Sequence, residues 1–157
     1  MKKIELSNYE NSGNIAEVEV SYSTKVKNSE RVKIKSSKDT YEVLKSVWSN
    51  KIEYIEEFVL LLLNRANNVL GWVKISQGGL SGTVVDPKVI FAIALQCNAS
   101  GLVLCHNHPS GNLQPSKQDI DLTKKIVEAG KLLEINVLDH IIITAESYYS
   151  FADNGQI

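Results

Sequence analysis

Hydrophobic and polar positions alternate with a period of two in two stretches near the start of the chain. Val18 and Val20 alternate with glutamates within residues 15–26, and residues 31–36 show the same alternation. This pattern is typical of β-strands that bury one face. We therefore expect a β-rich arm over residues 1–36.

From residue 37 onward, the pattern predicts strands that alternate with helices. Ser36 or Ser37 can cap the first helix, and the Asp–Pro pair at 86–87 is typical of a helix start. The predicted strands cover 56–64, 69–76, 102–106 and 137–144, and the predicted helices cover 39–49, 89–99 and 116–133. This order predicts one α/β domain over residues 37–157, with helices flanking a mixed central sheet.

Composition and charge narrow the classes of function. The chain has 157 residues, of which 43% are hydrophobic, as in a soluble protein with one sizeable core. It contains no long apolar run and no apolar segment behind its basic start, so we expect no membrane span, no secretory signal and a cytoplasmic location. The net charge of −1 offers no basic surface for nucleic acid, and direct DNA binding is not expected.

The segment HNHPSGNLQPSKQD carries the most informative chemistry. His106 and His108 lie two positions apart at the end of a predicted strand, so their imidazoles should face the same side. Asp119 lies in the first turn of the following predicted helix, and the loop between them is short. Two imidazoles and one carboxylate are a ligand set for catalytic zinc, with a fourth position left for water. We therefore predict one zinc ion per chain.

Each part of this pattern has a simpler interpretation when taken alone. Ser116 and Asp119 have the spacing of a helix capping box, and an exposed histidine needs no special reason. The metal site is favoured by the joint spacing of these residues across a strand end, a loop and a helix start.

This spacing is that of the JAMM signature, which is reproduced here by His106, His108, Pro109, Ser116 and Asp119. The surrounding sequence resembles the RadC-like branch of the JAMM (MPN+/JAB-type) metallopeptidases over roughly residues 37–153. The resemblance implies a three-layer sandwich similar to that of the cytidine deaminases. It also implies that zinc-bound water hydrolyses an amide or isopeptide bond, with a polypeptide or another amide as the substrate.

The resemblance further implies catalytic roles for Glu56 and Ser116. The RadC-like Glu-x-Phe pattern assigns to Glu56 the general base that takes the proton from water and passes it to the leaving amine. Glu57, on the opposite face, is the competing candidate. Ser116 would donate a hydrogen bond to the oxyanion while its lone pairs cap the helix. Asn107 stands where isopeptidase members carry Ser or Thr, so the substrate stays open.

Several residues near this segment have two interpretations each. His140 is either an ordinary strand histidine or a residue that supports a zinc ligand by a hydrogen bond, and Asp139 has the same two interpretations. The glycine-rich loop 78–82 lacks the spacing of a phosphate-binding loop and is expected to form a flexible rim of the site.

Three other interpretations of the function compete with the metallopeptidase. A cytidine-deaminase-like zinc enzyme needs His-x-Glu and Pro-Cys-x-x-Cys motifs, which the sequence lacks. A non-enzymatic DNA-repair-associated factor is suggested by the RadC-like resemblance, but residues 1–36 contain no helix-hairpin-helix module, and glutamates interrupt the basic cluster at 25–35. The third is a protein-binding factor that retains a structural zinc. The oligomeric state is not predicted.

Overall fold

The computed structural model describes residues 22–23, 26–78 and 85–157. Its helices are α1 (Ser37–Val47), α2 (Pro87–Gln96) and α3 (Lys117–Leu132), preceded by a 3-10 turn at Asn28–Glu30. Its strands are β1 (Glu57–Leu63), β2 (Val69–Gln77), β3 (Gly101–Asn107), β4 (Asn136–Ile143) and β5 (Tyr148–Ser150). All the elements predicted from residue 37 onward are present, and β5 is an addition that the sequence pattern did not predict.

The strands form one sheet in the order β2-β1-β3-β4-β5. β3 and β4 run parallel, while the other neighbouring strands are antiparallel. Helix α3 makes the crossover that a parallel pair requires. The predicted mixed sheet is therefore confirmed.

Helices cover both faces of this sheet. All seven residues of β1 are buried, because alternate side chains pack against different layers. Leu60 and Leu62 pack in one core with residues of α2 and α3, and Val59 and Leu61 pack in the other with Leu44 of α1. The result is the three-layer α/β sandwich that the sequence predicted. No helix within the described part of the chain is long and apolar enough to cross a membrane.

The predicted β-rich arm differs from the structure where the two can be compared. Most of the first predicted strand, 15–26, lies outside the described residues. The second, 31–36, is wrong: within it, Lys33 forms a single antiparallel bridge with Asn68. Ile34 is buried, but Val32 is 53% exposed, so the alternating pattern does not bury a continuous apolar face.

Local signals explain where the helices near the site begin. Asp86 accepts a hydrogen bond from the backbone N–H of Lys88, and Pro87 occupies the first helical position of α2. Ser36 caps α1 by accepting from the backbone N–H of Asp39. Helix α3 begins with a complete capping box, which also positions a residue of the site described below.

Candidate metal centre

The carboxyl end of β3 presents two histidines to the same space. His106 is the sixth residue of β3 and is 1% exposed, and Cys105 before it packs in the core on the α1 side. The backbone N–H of His108 donates to the carbonyl of Ile143 at 3.0 Å, which continues the pairing with β4 by one residue. The two imidazole rings lie 4.8 Å apart, centroid to centroid, on one side of the sheet, as the spacing predicts.

Asp119 reaches these histidines from the first turn of α3. The hydroxyl of Ser116 accepts a hydrogen bond from the backbone N–H of Asp119 at 3.1 Å, and Asp119 Oδ2 accepts from the backbone N–H of Ser116 at 2.7 Å. This capping box holds one carboxylate oxygen. The other oxygen, Oδ1, lies 3.2 Å from His106 Nε2.

The resulting group, His106, His108 and Asp119, can hold a metal ion. His106 Nε2 lies 3.0 Å from His108 Nε2 and 3.2 Å from Asp119 Oδ1. In a tetrahedral zinc site with bonds of about 2.0–2.2 Å, neighbouring ligand atoms lie about 3.3–3.6 Å apart. These two distances are therefore close to those that a small divalent ion requires, and His108 Nε2 lies 3.7 Å from Asp119 Oδ2.

The charges of these side chains influence one another. Burial opposes the ionisation of Asp119, but the imidazoles of His106 and His108, at 3.2 and 3.7 Å from its carboxylate oxygens, outweigh it and hold the pKa of this carboxyl well below its usual range. The carboxylate of Asp119, whose Oδ2 lies 3.7 Å from His108 Nε2, raises the pKa of His108 against its partial burial, and the carbonyl of Asn112 and the charge of Glu56 act in the same direction. A proton on His108 therefore competes with a metal ion.

Each histidine is also held through its second ring nitrogen. His108 Nδ1 lies 2.6 Å from the carbonyl oxygen of Asn112, which can only accept, so Nδ1 carries the hydrogen. His106 Nδ1 lies 2.8 Å from Nε2 of His140. Such partners turn the Nε2 atoms toward a metal and orient the rings.

The two glutamates at the start of β1 have different environments. Glu57 is 1% exposed, and its carboxylate accepts from Lys74 Nζ and, at 2.7 Å, from Ser49 Oγ. Burial raises the pKa of Glu57, but these two hydrogen bonds outweigh it, and the pKa is lowered overall. Glu56 is partly exposed, and strand alternation places it on the same face as Phe58, whose ring stacks on that of His106 at 6.0 Å.

Ser116 makes one contact that the sequence did not predict. Besides capping α3, its hydroxyl donates to Asp119 Oδ2 at 2.6 Å. The hydroxyl proton therefore points at the carboxylate of Asp119. Donation to a substrate oxygen requires the hydroxyl to rotate, while the backbone N–H of Ser116 continues to hold Oδ2.

Asn107, between the two histidines, points to the opposite face of the sheet and is fully buried. Its Oδ1 accepts from the backbone N–H of Glu57 at 2.7 Å, and its Nδ2 donates to the carbonyls of Ile52 at 2.6 Å and Ile55 at 2.9 Å. These bonds tie the end of β3 to the turn that leads into β1. The sequence pattern did not predict this role, because the partners of Asn107 lie at least 50 residues away along the chain.

His140 and Asp139 have distinct environments. His140 is fully buried, its ring stacks on Phe151 at 4.7 Å, and burial holds its pKa well below the usual range. Asp139 accepts hydrogen bonds from Ser150 Oγ at 2.6 Å and from the backbone N–H of Ala152 at 3.0 Å. Asp139 therefore ties β4 to β5, whereas His140 contacts the metal centre.

A cleft of about 240 Å³ opens beside His108. Its floor includes the turn after β3, where the backbone N–H of Gly111 donates to the carbonyl of His108 at 3.0 Å. Gly111 has φ +78, a conformation that glycine adopts without strain. The cleft is lined by Ile52, Glu53, His108, Pro109, Ser110, Gly111, Thr144, Ala145 and Glu146. Of the predicted rim loop at 78–82, residues 79–82 lie outside the described residues.

Comparison with known proteins gives a consistent result. The family model described as a RadC-like JAB domain matches residues 34–156. A UPF0758 protein of Flavobacterium johnsoniae is 46% identical over 123 residues, which cover 78% of this chain and 53% of the relative. A UPF0758 protein of Alkaliphilus metalliredigens is 41% identical over 127 residues, covering 80% of this chain and 53% of the relative. The chain spans about half the length of these relatives.

Proposed function

The chain belongs to the RadC-like JAB domain family, and we propose that it is a zinc-dependent hydrolase that cleaves an amide or isopeptide bond of a polypeptide. The observation that carries the proposal is the convergence of His106 Nε2, His108 Nε2 and the Asp119 carboxylate. Two imidazoles and one carboxylate are suitable ligands for zinc, and three protein ligands leave the fourth coordination position free for water or substrate.

His106, His108 and Asp119 would hold the ion. Zinc, when bound, lowers the pKa of water to about 7 and polarises a carbonyl group. Glu56 acts as the general base: its carboxylate takes a proton from the attacking water and then delivers it to the nitrogen of the leaving amine. Two features support Glu56 over Glu57. Strand alternation places Glu56 on the face of Phe58 and His106, and the Glu57 carboxylate is already bound to Lys74 and Ser49.

Ser116 stabilises the oxyanion of the tetrahedral intermediate. Its hydroxyl rotates from Asp119 Oδ2 toward the developing negative charge and donates its proton there. Asp119 keeps its orientation because the backbone N–H of Ser116 remains bonded to Oδ2. The substrate chain enters along the cleft beside His108.

The first test is the zinc content of tag-free protein, measured by elemental mass spectrometry beside the variant His108→Ala. We expect close to one zinc ion per chain, and its loss in the variant. Wild-type protein that stays free of metal after incubation with zinc would overturn the metal centre. If the variant retained one zinc ion per chain, the ion would have to bind at another site.

The second test is hydrolysis by the zinc-loaded protein. A peptide library and peptides joined through a lysine side chain are incubated with the protein, and new amino groups are labelled and identified. Glu56→Gln is expected to abolish cleavage while zinc content and stability stay unchanged, because the substitution removes only the base. Cleavage that survives in this variant would contradict the role of Glu56. Zinc without cleavage of any probe would favour a structural metal.

A further inference from the structure

We propose that His140 and Thr123 form a buried hydrogen-bond relay that selects the metal-binding tautomer of His106. The two residues would thus be positioning residues for the metal centre, acting through His106. The inference deepens the proposed function and rests on it, since it concerns the same site.

The relay joins two of the candidate ligand residues through the protein interior. His106 Nδ1 lies 2.8 Å from His140 Nε2, and His140 Nδ1 lies 2.6 Å from Thr123 Oγ1. The Thr123 hydroxyl donates to the backbone carbonyl of Asp119 at 2.6 Å. His106, His140 and Thr123 are each no more than 1% exposed. The relay therefore links β3, β4 and α3 by direct contacts in the protein interior.

The direction of the relay follows from its last member. The carbonyl of Asp119 can only accept, so the proton of the Thr123 hydroxyl is used there. Thr123 Oγ1 must then accept the hydrogen of His140 Nδ1. In a neutral ring this leaves His140 Nε2 as an acceptor, and it receives the hydrogen of His106 Nδ1. The lone pair of neutral His106 is consequently on Nε2, the atom that faces the site.

The surroundings of His140 keep its ring neutral. The ring lies against Phe58 and Phe151, with centroid distances of 5.8 and 4.7 Å. Its two nitrogens face an imidazole and a hydroxyl group, neither of which compensates a positive charge. A buried cation without an anionic partner is costly, so the uncharged ring is strongly favoured.

Burial alone does not account for this arrangement. Apolar side chains at positions 123 and 140 would fill the same space without any polar group to satisfy. Thr123 and His140 instead fix which nitrogen of His106 carries the hydrogen. If the hydrogen bonds of the relay ran in the opposite direction, neutral His106 would carry its hydrogen on Nε2, which would block coordination of a metal.

The test begins with the tautomer of His106 in metal-free wild-type protein. Long-range 1H–15N spectra are recorded at about pH 8, where an ordinary imidazole is neutral. We expect a hydrogen on Nδ1, the atom that faces His140 Nε2. A wild-type ring with no hydrogen on Nδ1 would overturn the relay, and this measurement depends on neither metal binding nor activity. It is therefore independent of the proposed hydrolysis.

Substitutions at Thr123 then test whether its hydroxyl determines the tautomer of His106. Thr123→Val has a similar shape but cannot accept from His140 Nδ1, so the His140 ring should place its hydrogen on Nε2 and donate it to His106 Nδ1. The hydrogen of His106 then moves to Nε2, and zinc affinity should fall by about 10–100-fold in competition with a chelator. Thr123→Ser keeps the hydroxyl and serves as the matched control, with affinity and tautomer like those of the wild type.

The outcomes separate positioning from simple packing. A folded Thr123→Val protein with wild-type zinc affinity and a hydrogen still on His106 Nδ1 would overturn the proposal. Loss of affinity in both Thr123 variants would do the same, since the hydroxyl would not be the cause. Thermal unfolding verifies that each variant is folded. If Thr123→Val does not fold, the wild-type tautomer still decides the question.

Discussion

Asn107 Oδ1 accepts the backbone N–H of Glu57 at 2.7 Å, which joins the strand of the two histidines to the residue after Glu56. The Nδ2 group of Asn107 donates to two further carbonyls of the preceding turn. A single side chain thus sets where the backbone of Glu56 lies relative to His106 and His108. The asparagine between the histidines is therefore a structural part of the candidate site.

The substitution Asn107→Asp tests this role. It keeps the shape of the side chain but replaces two donated hydrogens with a carboxylate oxygen that faces the carbonyls of Ile52 and Ile55. We expect stability to fall by about 2–4 kcal/mol, because buried polar groups lose their partners. Hydrolysis by the folded fraction should fall roughly 100-fold, because the base is displaced. Denaturant unfolding and initial rates measure the two effects.

Zinc content should survive in Asn107→Asp, since the ligand side chains at the end of β3, in the turn after it and on α3 are unchanged. Asn50→Asp is the matched control: Asn50 is exposed, and its replacement should change stability by less than about 0.5 kcal/mol. If Asn107→Asp had the stability and hydrolysis rate of the wild type, the hydrogen bonds of Asn107 would be dispensable.

The substitution Glu57→Gln should affect stability rather than chemistry. The folded-state pKa of Glu57 is lowered below its ordinary value of 4.5, so its ionised form stabilises the fold above that value. This contribution is lost as the pH falls through the folded-state pKa. We expect Glu57→Gln to cost about 1–2 kcal/mol at neutral pH, a modest figure because Lys74 is partly exposed.

Denaturant unfolding measures the stability of wild type and Glu57→Gln from neutral pH to about pH 3. The two free energies of unfolding should become equal as the pH falls. Glu56→Gln is the neighbouring control and should match the wild type in stability throughout. A stability difference between wild type and Glu57→Gln that stays constant with pH would show that ionisation of Glu57 is not its cause.

Most of the fold could be predicted because its elements carry local signals. The apolar run of β1 is typical of a strand covered on both faces, and the Asp86–Pro87 pair specifies the start of α2. Strand β5 has three residues and no such pattern. It is held by tertiary contacts such as that between Ser150 and Asp139, which no local pattern reveals.

In the candidate site too, some features follow from local sequence and others depend on distant contacts. The orientation of His106 and His108 follows from strand geometry, and the position of Asp119 follows from helix capping. The partners of Asn107 and His140 lie far away in sequence, at separations of 50 residues from Glu57 and 34 from His106. Their roles required the assembled sheet.

Zinc should stabilise the fold, and this effect should depend on pH. A ligand at 100 times its Kd raises the free energy of unfolding by about 2.7 kcal/mol. Asp119 raises the pKa of His108 above the usual 6.5, so protons begin to compete with zinc above that pH. We expect the zinc-dependent rise in Tm to be full in mild alkali and to shrink as the pH falls toward 6.5.

Thermal unfolding with zinc and with a chelator, across this pH range, provides the measurement. Asp119→Asn removes the ligand charge and should abolish most of the zinc-dependent rise in Tm. A rise that is equally large in Asp119→Asn, or that is insensitive to pH near 6.5, would contradict the assignment of the ligands.

The substitution Ser116→Ala separates capping from catalysis. Loss of the hydroxyl removes the cap of α3 and should cost about 1 kcal/mol of stability. If the hydroxyl also stabilises the oxyanion, kcat/KM should fall by about 10²–10³-fold. Ser116→Thr retains both functions and should restore both quantities. Denaturant unfolding and initial rates on the same zinc-loaded samples provide the comparison.

Ser36→Ala is the matched control for Ser116→Ala, because Ser36 caps α1 by the same geometry on the opposite face of the sheet. Its stability should fall by a similar amount, about 1 kcal/mol, while kcat/KM stays at the wild-type value. If kcat/KM fell no further in Ser116→Ala than in Ser36→Ala, Ser116 would act only as the cap of α3. The oxyanion would then need another hydrogen-bond donor near the cleft.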